Sequence, residues 1–258
     1  GRNRRPRREC NRDCCIKMED MDHKELIQEI RDYCTSNQNP DIVKKYSRYF
    51  KGEYMAYGLT TQLMQDKLKH LLSVDKVDLQ TVLQAGPELI AQSKYEEPSF
   101  ALLLLFGHKK EFSKEVFHHI ESWYKLGINN WAHADTLGMM ILPVFYNKGI
   151  MELSDFRLWL KAENPFQRRS VPVTLIKALK KTDDYTAFFE FLSPLMTDPI
   201  REVHQGMGWF LREAWKLKPE VTETFLLKYK DTSPRLIFQY ACEKMDKEGK
   251  VRFKKNSK

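Results

Sequence analysis

The stretch Asn39-Pro40-Asp41-Ile42-Val43-Lys44-Lys45-Tyr46-Ser47-Arg48-Tyr49-Phe50 contains the pattern from which most of the chain is built. An asparagine side chain accepts hydrogen bonds from the free amides at a helix start, and a proline in the first turn sacrifices no hydrogen bond. Apolar side chains then recur at three- and four-residue intervals: Ile42, Val43, Tyr46, Tyr49 and Phe50. This spacing predicts an amphipathic helix that begins near Pro40.

The same signals recur on both sides of this stretch. An earlier helix is predicted from the apolar positions Leu26, Ile27, Ile30, Tyr33 and Cys34. Serines are expected as N-caps at Ser154 and Ser233, and prolines in the first turns at Pro165, Pro199, Pro219 and Pro234. The further helices are predicted over residues 61–72, 78–92, 97–108, 112–125, 129–147, 154–163, 165–181, 184–196, 199–217, 219–230 and 233–247.

The fold class follows from this pattern and from short connections of two to six residues. The sequence has no sustained apolar–polar alternation and no Asn-Gly or Asp-Gly hairpin turn. We therefore predict an all-α protein, a superhelical stack of antiparallel helical hairpins that forms a HEAT-like solenoid with a concave face. Residues 22–247 are predicted to form this single HEAT-like domain, between a basic, disordered leader at 1–21 and a basic tail at 248–258.

Charge is concentrated at the two ends of the chain. The 258 residues carry a formal net charge of +8, to which residues 1–17 and 244–258 contribute +5 each, so that residues 18–243 sum to −2. Basic ends attract polyanions such as nucleic acid without sequence preference. A nucleic-acid function for the body of the chain must therefore rest on where its charges lie. The sequence has no apolar run long enough to span a bilayer and no apolar signal-peptide core.

The five cysteines favour reduced thiols in a cytosol. Cys10, Cys14 and Cys15 lie close together, but no second pair of ligands follows at the spacing of a zinc site. The histidines also lack ligand spacing, so no metal is predicted.

The stretch Asn129-Asn130-Trp131-Ala132-His133-Ala134-Asp135-Thr136 carries the first candidate site. Trp131 and Asp135 are four residues apart, which places both on one face of a helix. An aromatic ring and a carboxylate that point into the same space suit a planar cationic ligand. The alternative is a core tryptophan beside a solvated or capping aspartate.

A second candidate lies in His204-Gln205-Gly206-Met207-Gly208-Trp209-Phe210-Leu211-Arg212-Glu213. Gly206 and Gly208 inside a helix cost stability, which close helix packing or a backbone approach to a ligand offsets. Trp209 and Arg212 share a face three residues apart. The alternative is a tight helix contact with Trp209 in the core.

A third candidate places Arg168 and Arg169 in the first turns of a helix that follows Asn164-Pro165. Helix N-termini already carry positive potential, so arginines there are unfavourable unless an anion lies nearby. This arrangement suits contact with phosphates, and the alternative is a pair of solvated arginines.

Together these segments resemble the AlkD-type DNA alkylation repair family, a group of HEAT-like DNA glycosylases, over about residues 40–245. Tyr49 to Gly58 resembles the opening segment of the family. Asn130 to Thr136 resembles its N-x-W-x-x-x-D-T helix, Arg169 falls on its functional arginine, and Gly208 to Glu213 resembles its G-W-x-L-R-E helix. The chain departs from the family after Gly58, where it lacks the usual proline and arginine.

The resemblance implies excision of cationic alkylated purines, of the 3-methyladenine and 7-methylguanine type, from double-stranded DNA. It implies Trp131, Asp135 and Trp209 as catalytic residues and Arg169 as a contact to the DNA backbone. From their positions on the predicted helices, Arg168 and Arg212 are added as DNA-binding residues. It also implies a lesion handled without a base-flipping pocket. We further expect no cofactor and a cytoplasmic monomer that associates with the nucleoid when bound to DNA.

Two other readings of the sequence remain open. A catalytically silent, HEAT-like DNA-binding protein shares every feature except turnover. A protein-interaction scaffold, the commonest use of helical solenoids, would need no Asp135.

Overall fold

Helix capping explains where many of the helices begin in the computed structural model, which describes residues 21–255. The Asp22 carboxylate accepts hydrogen bonds from the amides of Lys24 and Glu25, and the Glu25 carboxylate accepts one from the Asp22 amide. Asn39 caps the following helix, in which Pro40 is the first residue. Pro165 and Pro219 also occupy first turns as predicted. The predicted caps at Ser154 and Ser233 are wrong, because Glu152 and Pro234 precede those helices instead.

Fourteen α-helices lie within residues 21–255. They are α1 (His23–Ser36), α2 (Pro40–Ser47), α3 (Thr61–Ser73), α4 (Leu79–Ile90), α5 (Glu96–Gly107), α6 (Lys114–Leu126), α7 (Trp131–Thr136), α8 (Leu142–Asn147), α9 (Pro165–Ile176), α10 (Thr186–Leu192), α11 (Arg201–Leu217), α12 (Pro219–Tyr229), α13 (Arg235–Ala241) and α14 (Lys247–Arg252). A π-helical turn joins α7 to α8 (Leu137–Ile141), and 3-10 helices cover Leu153–Lys161, Leu179–Lys181 and Ser193–Thr197.

The predicted all-α fold is confirmed: no strand occurs in the part of the chain that the structure describes, and the helices are consistent with a helical-repeat solenoid. One continuous hydrophobic core runs from α1 to the segment after α14. None of the helices in residues 21–255 combines the length and the apolar character needed to cross a membrane.

The single helix predicted over residues 129–147 is divided in three. Pro143 has no amide hydrogen with which to continue the α-helical pattern. Just before it, the amide of Leu142 bonds the carbonyl of Leu137, five residues earlier, so this turn is π-helical. The widened turn follows directly after Asp135 and Thr136, and turns of this kind are frequent at functional sites.

The basic tail predicted from residue 248 begins as part of the packed structure. Residues 247–252 form α14, and the ring of Phe253 is buried in the core. Arg235 Nη2 donates a hydrogen bond of 2.7 Å to the carbonyl of Phe253. The packed body therefore extends beyond residue 247. The predicted leader, except for Met21, and its three cysteines lie outside the described residues.

The long helix α11 packs between α9 and α13, and its glycines make this possible. A Cβ atom on Gly208 would lie 2.5 Å from Tyr240 Cβ and 2.8 Å from the carbonyl oxygen of Ile237 in α13. A Cβ atom on Gly206 would lie 2.8 Å from Arg169 Cγ in α9. Both glycines are thus explained by close helix packing.

We expect Gly208→Ala to lower the free energy of unfolding by about 1–3 kcal/mol, because the added methyl group has no space against α13. At a helix glycine with free space around it, the same change would instead raise the free energy of unfolding by roughly 0.5–1 kcal/mol. Urea unfolding gives the sign, and Lys216→Ala at an exposed position of α11 is the control. A gain in stability for Gly208→Ala would show that α11 and α13 are not in tight contact.

Candidate nucleic-acid cleft

Helices α7, α9 and α11 enclose an open cleft of about 640 Å³. Its side chains come from five parts of the chain that are far apart in sequence. They are Tyr49, Phe50, Lys51, Asn129, Asn130, Trp131, Asp135, Phe166, Arg169, Arg201, Glu202, Gln205, Trp209, Arg212 and Tyr240. The structure thus brings together five of the six predicted site residues, and only Arg168 is absent from this lining.

Trp131 and Asp135 share one face of α7, as their spacing predicts. The helix begins at Trp131 because the Asn130 side chain accepts a hydrogen bond of 2.9 Å from the amide of His133. The Trp131 ring is 41% exposed and stacks on Phe50, with 5.5 Å between ring centroids. Its Nε1 donates a 3.3 Å hydrogen bond to the carbonyl of Tyr49. Trp131 is therefore a wall of the cleft, not a core residue.

Asp135 is held by Arg169 in a two-pronged ion pair. Arg169 Nε lies 2.8 Å from Asp135 Oδ1, and Nη2 lies 2.9 Å from Oδ2. The remaining Nη1 donates to the carbonyl of Glu202 at 2.9 Å. Since Arg169 is buried, its guanidinium is fixed by these three partners and does not extend into solvent. Arg169 therefore orients the carboxylate of Asp135.

Trp209 lines the same cleft from α11 and is half-buried. Its helix approaches α9 closely because Gly206, one turn earlier, leaves space for the Arg169 side chain. A glycine in α11 thus allows the ion pair between α7 and α9 to form beneath the cleft. The sequence analysis treated a ligand-facing Trp209 and a tight helix contact as alternatives. In the structure both occur, because Gly206 permits the close contact while Trp209 lines the cleft.

Arg168 and Arg169 are adjacent in sequence but turn to different partners. Arg168 Nε and Nη2 bind the two carboxylate oxygens of Asp198 at 2.7 and 3.1 Å, and Nη1 donates to the carbonyl of Ala162 at 2.7 Å. This pair lies outside the cleft lining. The two arginines are therefore neither solvated nor extended toward a shared anion, because each has its own aspartate.

Arg212 does line the cleft, where it also pairs with acidic neighbours. Its guanidinium contacts the carboxylates of Glu213 and Glu243. Two exposed basic side chains that the sequence analysis did not select, Lys51 and Arg201, complete the basic part of the lining.

The aromatic segment at residues 49–57 lies beyond the helix in which the apolar spacing placed Tyr49 and Phe50, because α2 ends at Ser47. The buried carboxylate of Glu96 anchors its end, since it accepts hydrogen bonds from the amides of Tyr57, Gly58 and Leu59 at 2.9, 2.8 and 3.2 Å. The amide of Tyr95 also donates to the carbonyl of Met55 at 2.8 Å. Glu96 and Glu97 begin the otherwise apolar helix α5. Two glutamates at the start of such a helix were the signal in the sequence from which a buried carboxylate could have been predicted.

His133 lies between Trp131 and Asp135 on α7 as a neutral, buried side chain. Its Nδ1 faces Asn130 Nδ2 at 2.8 Å, and its Nε2 lies 3.0 Å from the carbonyl of Tyr95. A neutral ring protonated on Nε2 satisfies both contacts. Burial lowers the pKa of His133 to about 4, against the opposing effect of the hydrogen bond to Tyr95.

No group of three or more His, Cys, Asp or Glu side chains within residues 21–255 is arranged to hold a metal ion. What the cleft offers is two indole rings, one oriented carboxylate and a basic rim. These groups can bind a nucleotide chain and a cationic ring.

This chain is similar to a protein-family model and to a solved structure. The sequence model of the DNA alkylation repair enzyme family matches residues 30–245. Among solved structures, the chain is similar to a predicted DNA alkylation repair enzyme from Enterococcus faecalis, with a TM-score of 0.71 and 19% sequence identity. The alignment covers 82% of this chain and 98% of that chain, and at this identity it supports the fold alone. No curated protein matches the chain.

The buried histidine predicts a pH dependence of stability. The unfolded chain takes up a proton at His133 below about pH 6.5, whereas the folded chain takes it up only near pH 4. Stability therefore falls as pH drops through this window, by about 3 kcal/mol in full. We expect urea unfolding of His133→Gln to lack this part of the acid destabilisation. Parallel stability curves for the two proteins would contradict the buried neutral state.

Proposed function

Because the chain belongs to the DNA alkylation repair enzyme family, we propose that it is a DNA glycosylase that releases cationic alkylated purines, of the 3-methyladenine and 7-methylguanine type, from double-stranded DNA. The observation that carries this proposal is the convergence of Trp131, Asp135 and Trp209 on one open cleft. The family supports a role in the repair of alkylated DNA, and the geometry of the cleft supports this reaction.

The chemistry required of the protein is modest. Alkylation at N3 or N7 makes the purine cationic, so the glycosidic bond breaks with its electron pair moving to the base nitrogen. The base leaves neutral and positive charge develops on the deoxyribose. Water then adds at C1′ and gives up a proton. The transition state is therefore a sugar cation, which a fixed negative group stabilises more than it does the ground state.

Asp135 is the group placed for that task. Its carboxylate faces the cleft and is only partly exposed, so its field is less screened than that of a surface aspartate. Arg169 compensates part of the charge but holds both oxygens in one orientation. Such a prearranged carboxylate needs no reorganisation as the sugar becomes cationic.

The two tryptophans supply the aromatic faces of the site. A cationic purine is attracted to an indole face by its quadrupole as well as by stacking. Trp131 and Trp209 come from different helices and line the same cleft. They favour the cationic lesion over its neutral parent base, which lacks the electrostatic part of the attraction.

The DNA backbone is assigned to the basic rim. Lys51 and Arg201 are exposed at the cleft, and Arg212 lines it from α11. We assign phosphate contacts to these three side chains. Arg169 then acts indirectly, through the orientation of Asp135, and Arg168 serves the packing of α9 against the segment at Asp198.

The role of Asp135 is tested by Asp135→Asn, which keeps size and one acceptor for Arg169 but removes the negative charge. We expect single-turnover release of methylated purine from alkylated duplex DNA to slow by roughly 10²-fold or more. The change also leaves the buried guanidinium of Arg169 without a charged partner, which lowers stability.

The chain supplies a matched control in Asp198→Asn. Asp198 also pairs with a partly buried arginine through both oxygens, yet it lies outside the cleft. It should reproduce the loss of stability and leave base release near the wild-type rate. Equal rates for both variants and the wild type would remove Asp135 from the mechanism, and a wild type that binds DNA without releasing base would establish the silent DNA-binding alternative.

The proposed contact between Arg201 and a phosphate predicts that removal of the Arg201 charge changes how DNA affinity depends on salt concentration. We expect Arg201→Gln to lower the slope of log affinity against log salt concentration by about 0.9, the value for one lost phosphate contact. Arg157→Gln is the control, because Arg157 is exposed but lies away from the cleft. Fluorescence titration of duplex DNA at several salt concentrations gives both slopes, and an unchanged slope for Arg201→Gln would place the DNA elsewhere.

A further inference from the structure

The cleft by itself offers few free positive charges to a DNA backbone. Of the four basic side chains that line it, Arg169 and Arg212 already share their charge with carboxylates of the protein. Lys51 and Arg201 are the two that form no ion pair in the part of the chain that the structure describes. Affinity for duplex DNA comes largely from phosphates that lysine and arginine neutralise. We therefore searched for basic side chains that lie outside the cleft but close to its rim.

Residues 244–255, here called the 244–255 segment, form such a surface. They carry six basic and two acidic side chains, a net charge of +4. Within residues 21–255, the ion pairs of these basic side chains are those of Lys244 with Glu243 and of Arg252 with Glu223. The segment therefore presents positive charge to solvent. All six basic side chains are exposed, and they are Lys244, Lys247, Lys250, Arg252, Lys254 and Lys255.

The 244–255 segment is folded against the body of the protein. The Asp246 carboxylate caps α14 by accepting a hydrogen bond of 2.7 Å from the amide of Gly249. The ring of Phe253 is buried in the core, and Arg252 Nη2 lies 2.8 Å from Glu223 Oε2 in α12. The lysines are thus carried by a fixed backbone. Binding to them costs less conformational entropy than binding that must first order a flexible tail.

The segment is continuous with the rim of the cleft. One carboxylate oxygen of Glu243 contacts Arg212 Nη1, and the other lies 3.0 Å from Lys244 Nζ. From there α14 continues over six residues, or roughly 9 Å at 1.5 Å per residue. Phosphates of one strand follow one another about every 3.4 Å along the duplex axis, so this length matches about three of them. Lys247 and Lys250 share one face of α14, because they are three residues apart.

We propose that the 244–255 segment binds backbone phosphates of duplex DNA on one side of the lesion, outside the cleft. The proposal rests on the proposed function in DNA repair. It extends the DNA-binding surface beyond the part of the chain that matches the family, because that match ends at residue 245 and α14 begins at Lys247. The lesion stays in the cleft with Trp131 and Trp209. Contacts to phosphates hold the flanking duplex without reading its sequence.

Removal of three charges from the segment tests the contact. The variant combines Lys247→Gln, Lys250→Gln and Lys254→Gln, and its affinity for undamaged duplex DNA is measured by fluorescence titration at several salt concentrations. We expect the slope of log affinity against log salt concentration to fall by about 2–3, since each lost phosphate contact contributes about 0.9. An unchanged slope would show that the duplex does not reach the segment.

A matched control separates a local contact from a change in net charge. The exposed lysines at 177, 180 and 181 follow the cleft-lining part of α9 but do not line the cleft. Their combined replacement by glutamine removes the same charge from the protein. We expect this control to keep a slope near that of the wild type. Equal slopes for the two triple variants, both below the wild type, would attribute the effect to net charge and overturn the proposal.

The side of the lesion on which the duplex extends gives a second test. Each probe duplex contains one 7-methylguanine nucleotide with fluorine at the 2′ position, which disfavours a sugar cation and keeps the base attached. One probe has its long flank on the 5′ side of this nucleotide, and the other has it on the 3′ side. We expect the segment variant to lose roughly tenfold or more in affinity for one probe and to bind the other as the wild type does. Equal losses for both probes would contradict a contact on one side.

Base release separates this proposal from the function on which it rests. If the wild type releases methylated purine while the segment variant matches the control in slope and in binding of both probes, the glycosylase stands and the segment is not part of the DNA site. If the segment variant shows the lower slope and the one-sided loss while the wild type releases no base from alkylated duplex DNA, the phosphate contact stands and the glycosylase function fails.

Discussion

The ion pair between Asp135 and Arg169 is the interaction on which the rest of the cleft depends. It joins α7 to α9, and the third hydrogen bond of the guanidinium joins α9 to the start of α11. Removing the partner of a buried charge costs far more than the pair itself contributes. The three helices are thus held in one relative position, and with them the two tryptophans and the carboxylate. A pair of this kind fixes geometry more than it adds stability.

The sequence predicted the helical fold because its signals are local. Caps, first-turn prolines and apolar spacing act within one or two turns, so α2, α9 and α12 begin where Asn39, Pro165 and Pro219 indicate. The division of residues 129–147 was not predicted, because a proline within a helical pattern allows either a break or a widened turn. The packing of neighbouring helices decides between them, and a pattern of apolar residues does not contain that information.

The candidate site was predictable in its composition but not in its pairing. Trp131, Asp135 and Trp209 could be selected from shared helix faces and from a family resemblance, and the structure places them together. The ion-pair partners of Arg168 and Arg169 are aspartates 30 and 34 residues away, at positions 198 and 135. Adjacent residues of α9 point in different directions, so Arg168 and Arg169 have separate partners. The sequence does not show which aspartates these partners are. Lys51 and Arg201 were missed because isolated surface charges carry no local signal.

The space that Gly206 leaves for Arg169 links two positions that are 37 residues apart in sequence. A side chain at position 206 and a long side chain at position 169 cannot both be accommodated at the present helix separation. The two positions are therefore expected to change together during divergence. A relative that carries alanine at the first should carry a smaller residue at the second, and with it a differently supported carboxylate. Loss of this glycine would then mark branches of the family in which the chemistry of the cleft has changed.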